Sequence, residues 1–178
     1  FSVLKNSNIQ PHFIEAHRLS KFNPRGNDVP VILDLMIHDL DIILSLIKSE
    51  IKNIHANGVK IVSPTVDIAN ARIEFNNGCV ANLTASRISQ KSMRKMRLFQ
   101  EKDYITIDFQ EGIVEEYKVC NKPPICRRGD QVVELDGKEK KYILYRKPTV
   151  PKHDALKEEL NHFVDSIQNA KQPETDGA

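Results

Sequence analysis

The chain has 178 residues, with 26 Lys and Arg against 24 Asp and Glu, so its net charge is only +2. A chain of this length can bury the core of a single domain, and its ordinary composition excludes disordered, collagen-like and coiled-coil proteins. The near balance of charge does not indicate nucleic-acid binding, which usually requires a basic patch. The three cysteines form no CxxC pair, so they predict neither a disulfide framework nor a Cys-based zinc site, and we expect a cytoplasmic protein.

The most apolar stretch, from Val29 to Ile47, does not predict a membrane span. Asp34, His38, Asp39 and Asp41 interrupt it. Four ionisable side chains in one span would be costly in lipid. We therefore interpret the stretch as a helix of a soluble domain, and we expect no membrane partner.

The N-terminal part of the chain predicts a strand, a loop and a long helix. Apolar and polar residues alternate from His12 to Leu19, which predicts a strand. The segment from Lys21 to Asp28 is rich in Pro, Gly and Asn and predicts a loop. Asp28 is a suitable N-cap and Pro30 fits a first helical turn, so we predict a helix from Val29 to Lys48.

The remainder predicts a series of hairpins and a final helix. An Asn-Gly pair between alternating runs is a strong hairpin signal, and we predict such turns at Asn57-Gly58 and at Asn76-Asn77-Gly78. The predicted strands are Ile51–Val62 (with its internal turn), Asp67–Phe75, Cys79–Arg87, Arg94–Gln100, Tyr104–Phe109, Ile113–Cys120, Gln131–Leu135 and Lys140–Tyr145. An amphipathic helix is predicted from Pro151 to Ala170. Strands joined by short turns, with helices on one face, predict an α+β domain with a largely antiparallel, open-faced sheet.

The predicted long helix carries a polar stripe that could support chemistry. Asp34 and His38 are four residues apart and share a face of a regular helix, and Asp41 is three residues further along. A carboxylate near an imidazole suits a general base that works close to neutral pH. Two other interpretations remain open, a solvated helix face and part of a metal site. We expect the helix to be buried on its other sides, Asp39 being the exception.

Basic residues near this helix have two possible roles. Arg18 ends the first strand, and Arg25 lies in the following loop with Asn23. Arginine suits bidentate contacts to phosphate or carboxylate, so these residues could bind an anionic substrate group. Alternatively, Arg18 pairs with Glu15 or another sheet neighbour and Arg25 faces solvent. A further set of basic residues is expected to form a solvated strand edge, with phosphate binding as the alternative: Arg87, Lys91, Arg94, Lys95, Arg97 and Lys102.

The segment from Gly26 to Asp41 resembles one protein family. A Gly-containing loop followed by a helix with Asp34, His38 and Asp41 at this spacing resembles the Gfo/Idh/MocA family of nicotinamide-dependent sugar and polyol dehydrogenases. The preceding strand and the following hairpins match the order of the C-terminal domain of that family, which has a dihydrodipicolinate-reductase-like fold. The chain departs from the family where Val29-Pro30-Val31 and Met36 replace frequent glycines.

The resemblance implies a substrate domain from a two-domain enzyme. Residues 1–178 would be a single C-terminal substrate-binding and oligomerisation domain, truncated at both ends. An N-terminal Rossmann domain, absent from this chain, would bind NAD or NADP and contribute a Lys from a Glu-Lys-Pro motif. His38 would be the general base and Asp34 would position the reacting groups, while the isolated chain would be inactive. The substrate would be contacted by Arg18, Asn23, Arg25 and Asp41, and no metal is expected.

The resemblance also bears on the substrate, on the oligomeric state and on whether the protein is a catalyst. Segments 15–20 and 22–26 resemble family members that oxidise UDP-linked amino sugars, so a sugar or nucleotide-sugar substrate is expected. Family members assemble through the open face of the sheet, which implies a dimer or tetramer. The alternative function is a non-catalytic module that binds sugar or assembles through that sheet.

Overall fold

A computed structural model describes residues 9–24, 28–137, 140–150 and 155–172. The strands are β1 (Phe13–Leu19), β2 (Ile51–Val59), β3 (Ile68–Phe75), β4 (Val80–Ser86), β5 (Met93–Phe99), β6 (Asp103–Asp108), β7 (Ile113–Cys120), β8 (Gln131–Leu135) and β9 (Lys141–Arg146). Between β1 and β2 lie a π-helical turn (Ile32–Met36) and helix α1 (Ile37–Leu46), and the last element is helix α2 (Ala155–Gln168). No helix within the described ranges is long and apolar enough to cross a membrane.

The described strands form one sheet in the order β2-β3-β4-β1-β5-β6-β7-β9-β8. Strand β1 inserts between β4 and β5 and runs parallel to β4. The other strand pairs of the sheet are antiparallel, because short turns connect most neighbours. The predicted α+β domain with a largely antiparallel sheet is therefore confirmed.

The core lies between α1 and one face of the central strands. Alternate residues of β1, β4 and β5 point to this face, among them Ile14, Leu83 and Leu98, which are fully buried. Met36 and Ile43 come from the helical segment and join the same cluster. Burial of each large aliphatic side chain contributes about 1.5–3 kcal/mol, so this packing fixes α1 against the middle of the sheet.

Most predicted hairpins are confirmed. The Asn76-Asn77-Gly78 turn connects β3 to β4, and Gly78 has a φ of 86°, which favours glycine. The side-chain oxygen of Asn77 accepts a hydrogen bond from the backbone N–H of Cys79 at 3.0 Å. The turns before β6, β7 and β9 also occur where the sequence places them.

The turn predicted at Asn57-Gly58 is wrong. Both residues lie inside β2, where they pair in regular antiparallel register with Asn70 and Ala69. A Cβ atom at position 58 would come within 2.8 Å of a methyl group of Val66. Glycine is therefore needed here because a strand and a loop approach each other closely, and the chain does not reverse its direction at this residue.

The predicted start of the long helix is also wrong. Asp28 lies in an exposed turn, and the N-terminal position of the helical segment is Val31, which no side chain caps. The backbone N–H of Val31 instead donates to the carbonyl of Val66 at 3.0 Å. The carbonyl of Val29 accepts a hydrogen bond from the guanidinium of Arg87. The carbonyl of Val66 thus accepts from the N–H group of Val31, which the carboxylate of Asp28 was expected to satisfy.

The helical segment is buried on one face only, which corrects the prediction of burial on most sides. Leu33, Ile37 and Leu44 are 60%, 45% and 47% exposed. The final helix has the predicted amphipathic pattern, but the described side chains of its apolar face are also exposed: Leu160, Phe163, Val164 and Ile167. The predicted helical residues 151–154 lie outside the described part of the chain.

The loop that supports the start of the helical segment is organised by the buried carboxylate of Asp67. Its Oδ2 accepts hydrogen bonds from the backbone N–H groups of Ile61, Val62 and Ser63 at 2.7, 2.7 and 2.9 Å. The hydroxyl of Ser63 donates to Oδ1. The Ser63 hydroxyl and then the backbone donors keep the pKa of Asp67 well below its usual value, against the opposing effect of burial.

We expect Asp67→Asn to lower the melting temperature of the protein by about 5 °C or more, because several donors lose a charged acceptor. The pKa of Asp67 is lower in the folded state than in the unfolded state, so its contribution is complete above about pH 4 and is lost as the pH falls further. Melting curves between pH 7 and pH 3 should show the gap between wild type and variant closing at the acidic end. The exposed turn residue Asp136 provides a control, and an equally large effect of Asp136→Asn would contradict this account.

Candidate active site

The residues predicted to carry chemistry lie on the exposed side of the helical segment. Asp34 belongs to the π-helical turn, and its side chain is 51% exposed. His38 lies in the first turn of α1 and is exposed, as is Asp41. Within the described residues no hydrogen bond joins Asp34 to His38, so both side chains are accessible to a ligand.

The π-helical turn alters the spacing on which the sequence prediction relied. The backbone N–H of Ile37 donates to the carbonyl of Ile32, five residues earlier. The turn therefore contains one residue more than an α-helical turn, and Asp34 and His38 are not related by regular α-helical geometry. Single π-helical turns within helices occur frequently at functional sites. No feature of the residue pattern distinguishes this turn from regular helix.

A buried arginine lies beside Asp34. The guanidinium of Arg87, which follows β4, is 3.9 Å from a carboxylate oxygen of Asp34, and the side chain of Arg87 is only 5% exposed. The same guanidinium donates to the carbonyl of Val29. Arg87 therefore connects the end of β4 to the start of the helical segment and places a positive charge next to Asp34.

Arg18 and Asp39 form a buried bidentate ion pair. Nε and Nη2 of Arg18 donate to the two carboxylate oxygens of Asp39 at 2.7 and 3.0 Å. The side chains are 11% and 7% exposed. Glu15, the alternative partner from the sequence, instead pairs with Arg97 at 3.4 Å. Because Asp39 directly follows His38, the ion pair fixes the position of the His38 turn relative to β1.

A second arginine, Arg94, lies next to this pair. Arg94 is the cross-strand neighbour of Arg18, and its Cζ lies 4.8 Å from the ring centroid of Phe109. Burial is the main cause that lowers the pKa of Arg94. The charge of Arg18 lowers it further, and Asp39 opposes both. The prediction of one solvated basic edge is therefore wrong for Arg87, which is buried, and for Arg94, which is half-buried.

The remaining predicted substrate contacts lie in the loop after β1. Asn23 is exposed there. Arg25 lies outside the described residues, so its place relative to the helix stays a prediction. The described structure brings Arg18, the helical segment and Arg87 together at one end of the central strands.

The face of the sheet opposite α1 carries five aromatic rings in a row, which we call the aromatic ladder. The ring centroids are 5.7, 4.7, 5.2 and 5.1 Å apart along the series Phe13, Phe99, Tyr104, Tyr117 and Tyr145. The sequence analysis missed this feature. The signal was present in the alternation of each strand, but the rings align only once the order and register of β1, β5, β6, β7 and β9 are known.

Metal and thiol chemistry find little support among the described residues. No group of three or more His, Cys, Asp or Glu side chains in these ranges is close enough to hold a metal ion. The thiol of Cys79 is buried, and burial raises its pKa to about 11, which disfavours the reactive thiolate. His38 and Asp34 are, by contrast, exposed groups that can exchange a proton with a ligand.

Solved structures of oxidoreductases share this combination of sheet and helix. An NAD-binding protein from Listeria innocua shares the fold with a TM-score of 0.70 at 17% identity, over 98% of this chain and 50% of that protein. The family model described as GFO/IDH/MocA C-terminal domain matches residues 10–114. The chain belongs to this family.

More similar relatives are also found. UDP-N-acetylglucosamine 3-dehydrogenase from Acidithiobacillus ferrooxidans is 37% identical over 159 residues, which cover 88% of this chain and 46% of the relative. A solved structure of that dehydrogenase matches with a TM-score of 0.80 and 32% identity, over 99% of this chain and 51% of the solved chain. The chain therefore spans about half the length of these relatives.

Removal of one partner of the Arg18–Asp39 pair should be strongly destabilising, because the other partner is left charged and buried. For Asp39→Asn we expect the free energy of unfolding to fall by about 3–5 kcal/mol. Urea denaturation measures this change. The matched control is Glu15→Gln, which breaks the more exposed pair with Arg97 and should cost about 1 kcal/mol or less. Similar losses in both variants would contradict a special role for the buried pair.

Proposed function

We propose that this chain is the substrate-binding and catalytic half of an NAD(P)-dependent oxidoreductase that oxidises a hydroxyl group of a nucleotide-sugar. One observation carries the proposal, namely that His38 and Asp34 are exposed on a helix whose position is fixed by the buried Arg18–Asp39 pair. The membership of the family and the similarity to a UDP-N-acetylglucosamine 3-dehydrogenase support it. We propose a UDP-linked amino sugar as the substrate.

The chemistry needs a base beside the reacting hydroxyl. As the carbinol carbon loses hydride, the oxygen must lose its proton for a ketone to form, and an imidazole nitrogen of His38 accepts that proton. Asp34 positions the substrate hydroxyl or the imidazole. The guanidinium of Arg87, 3.9 Å from the Asp34 carboxylate, holds that carboxylate in place. A bound nicotinamide cofactor supplies the hydride acceptor. Asp41 lies on the same exposed side in the next turn, and we propose that it contacts the substrate.

The exposed surface beside Asp34 and His38 suits the nicotinamide end of such a cofactor. Leu33 and Ile37 present exposed apolar surface next to Asp34 and His38, and an aromatic amide ring can pack against surface of this kind. The sequence has no GxGxxG motif for the phosphates of the cofactor. We therefore propose that a Rossmann domain elsewhere in the protein binds most of the cofactor and that this chain alone is inactive.

The substrate contacts are assigned by position. Asn23 and Arg25 follow β1 in the sequence, and we propose that both contact the substrate. Two donors of Arg18 are engaged by Asp39, so Arg18 can offer only its remaining N–H groups to a substrate while it holds the helix.

We expect His38→Ala in the intact enzyme to reduce kcat by about 10²- to 10⁴-fold, the range that general-base catalysis contributes. The affinity for nucleotide-sugar and for cofactor should change little, because the imidazole acts in the proton transfer. Steady-state kinetics of the wild type and of the variant measure the effect.

The matched control is Ser45→Ala, on the outer side of the same helix, where the hydroxyl bonds only to the carbonyl of Ile42. This variant should retain full activity. A His38→Ala enzyme with undiminished kcat would exclude the proposed role of His38 as the general base.

We also propose that the protein forms a dimer or tetramer through the face that carries the aromatic ladder. Tyrosine and phenylalanine are enriched in protein interfaces, and the ladder is a half-buried aromatic stripe across five strands. Charged side chains beside it are already paired on the same face, as in Lys95 with Asp108 at 3.1 Å. The hydroxyl of Tyr145 donates to Glu115 at 2.9 Å, so this face offers few unpaired charges to oppose association.

Tyr117→Glu should dissociate the assembly, because Tyr117 stacks between two other rings of the ladder and a carboxylate there would be buried without a partner. Sedimentation velocity should show a shift of most of the protein to monomer at micromolar concentration. Lys48→Glu changes charge at the exposed end of the helical segment and should leave the assembly intact. An unchanged sedimentation coefficient for a folded Tyr117→Glu variant would exclude this interface.

A further inference from the structure

Arg94 is a half-buried cation for which the described residues provide no acidic partner. Its Nε is fully buried, and no hydrogen-bond acceptor within the described residues reaches it. The guanidinium stacks on Phe109 with 4.8 Å between Cζ and the ring centroid. The carboxylate of Asp39 raises the pKa of Arg94, but both of its oxygens already accept hydrogen bonds from Arg18.

The local charges therefore do not balance. Arg18 and Arg94 are cross-strand neighbours, and one carboxylate faces the two guanidinium groups. An unpaired donor in a buried place costs about 1–3 kcal/mol, and more when the group is charged. A contact with an aromatic face offsets about 0.5–2 kcal/mol of such a cost. The buried Nε of Arg94 is out of reach of a ligand, so an anion that balances this charge would bind the terminal N–H groups of the half-buried side chain.

The free donors are of the kind that bind a phosphate group. A guanidinium has five N–H groups, and Arg18 uses one on Nε and one on Nη2 for Asp39. The remaining donors of Arg18 and those of Arg94 belong to adjacent strands of one sheet face. Arginine binds phosphate oxygens with two parallel hydrogen bonds, whereas neutral sugar hydroxyls would leave the excess charge unbalanced.

The position of the two arginines relates them to the proposed active site. Asp39 directly follows His38 in the chain and lies against Arg18. The Arg18–Asp39 ion pair therefore lies between Arg94 and the turn that carries the proposed base. Aromatic packing against Phe109 and the strand position of Arg94 hold the guanidinium in a defined place, which favours a permanent binding group over a solvated surface charge.

We propose that Arg94, assisted by the remaining donors of Arg18, binds a phosphate of the nucleotide-sugar diphosphate. This inference rests on the proposed function, because it assigns the charged part of that substrate to a particular residue. The same chemistry could serve a phosphate of the cofactor, so the test must separate the two sources.

The test compares wild type, Arg94→Gln and Arg97→Gln in the intact enzyme. Arg97 lies on the opposite face of the same strand, exposed and paired with Glu15, and provides the matched control. The probes are UDP, inorganic pyrophosphate and the reduced cofactor, with affinities from calorimetry and with KM and kcat for UDP-N-acetylglucosamine. We expect Arg94→Gln to weaken UDP and pyrophosphate binding by about 10- to 100-fold, to raise KM similarly and to leave the affinity for the cofactor unchanged.

The outcomes separate the inference from the proposed function. If the wild type binds UDP and oxidises the nucleotide-sugar while Arg94→Gln does so equally well, only the assignment of Arg94 is excluded. Weaker binding of the cofactor alone would assign the subsite to the cofactor and overturn the inference. A wild type that oxidises only uncharged sugars would exclude both the substrate class and the subsite. Should Arg94→Gln fail to fold, Arg94→Lys keeps the charge but loses the paired donors, and it should weaken UDP binding by about 10-fold.

Discussion

The geometry of the candidate site depends on the buried ion pair between Arg18 and Asp39. Two short hydrogen bonds join the end of β1 to the turn of α1 that carries His38. Hydrophobic packing is non-directional, so the apolar core by itself holds α1 near the sheet without setting its rotation. A bidentate pair has a defined direction and therefore selects one orientation of the helix. The exposure of His38 follows from that choice, because Asp39, the next residue of the same turn, faces inward.

The sequence predicted the sheet better than it predicted the helix. Strand alternation and turn chemistry are local signals, and the turn at Gly78 was identified because its backbone needs glycine. At Gly58 the same signal was misleading, since glycine is required there by the approach of Val66 from the loop that follows β2. The fold class follows from the count and spacing of local elements, and contacts across long stretches of sequence lie beyond such signals.

The candidate site was predicted in part for the same reason. Asp34, His38 and Asp41 were identified from spacing on one helix, and the structure places all of them on its exposed side. The partner of Arg18 was not identified, because Asp39 lies 21 residues away and Glu15 offered a nearer carboxylate. Arg87 and Arg94 were interpreted as surface charges, since burial of an arginine depends on which strands meet around it. The exposed positions of these three residues were therefore predictable from the sequence, and the contacts that position them were not.

The π-helical turn separates the helical segment into two parts with different anchors. Before it, Val29 and Val31 are bonded to Arg87 and to Val66. After it, α1 is oriented by β1 through Asp39. One additional residue allows both anchors to be satisfied at once. The additional residue therefore sets the rotation of α1 relative to the residues before it. A chain shorter by one residue between Ile32 and Met36 would keep the same sheet, but either Asp34 or His38 would point in another direction. In this region the length of the chain is constrained as strictly as the identity of its residues.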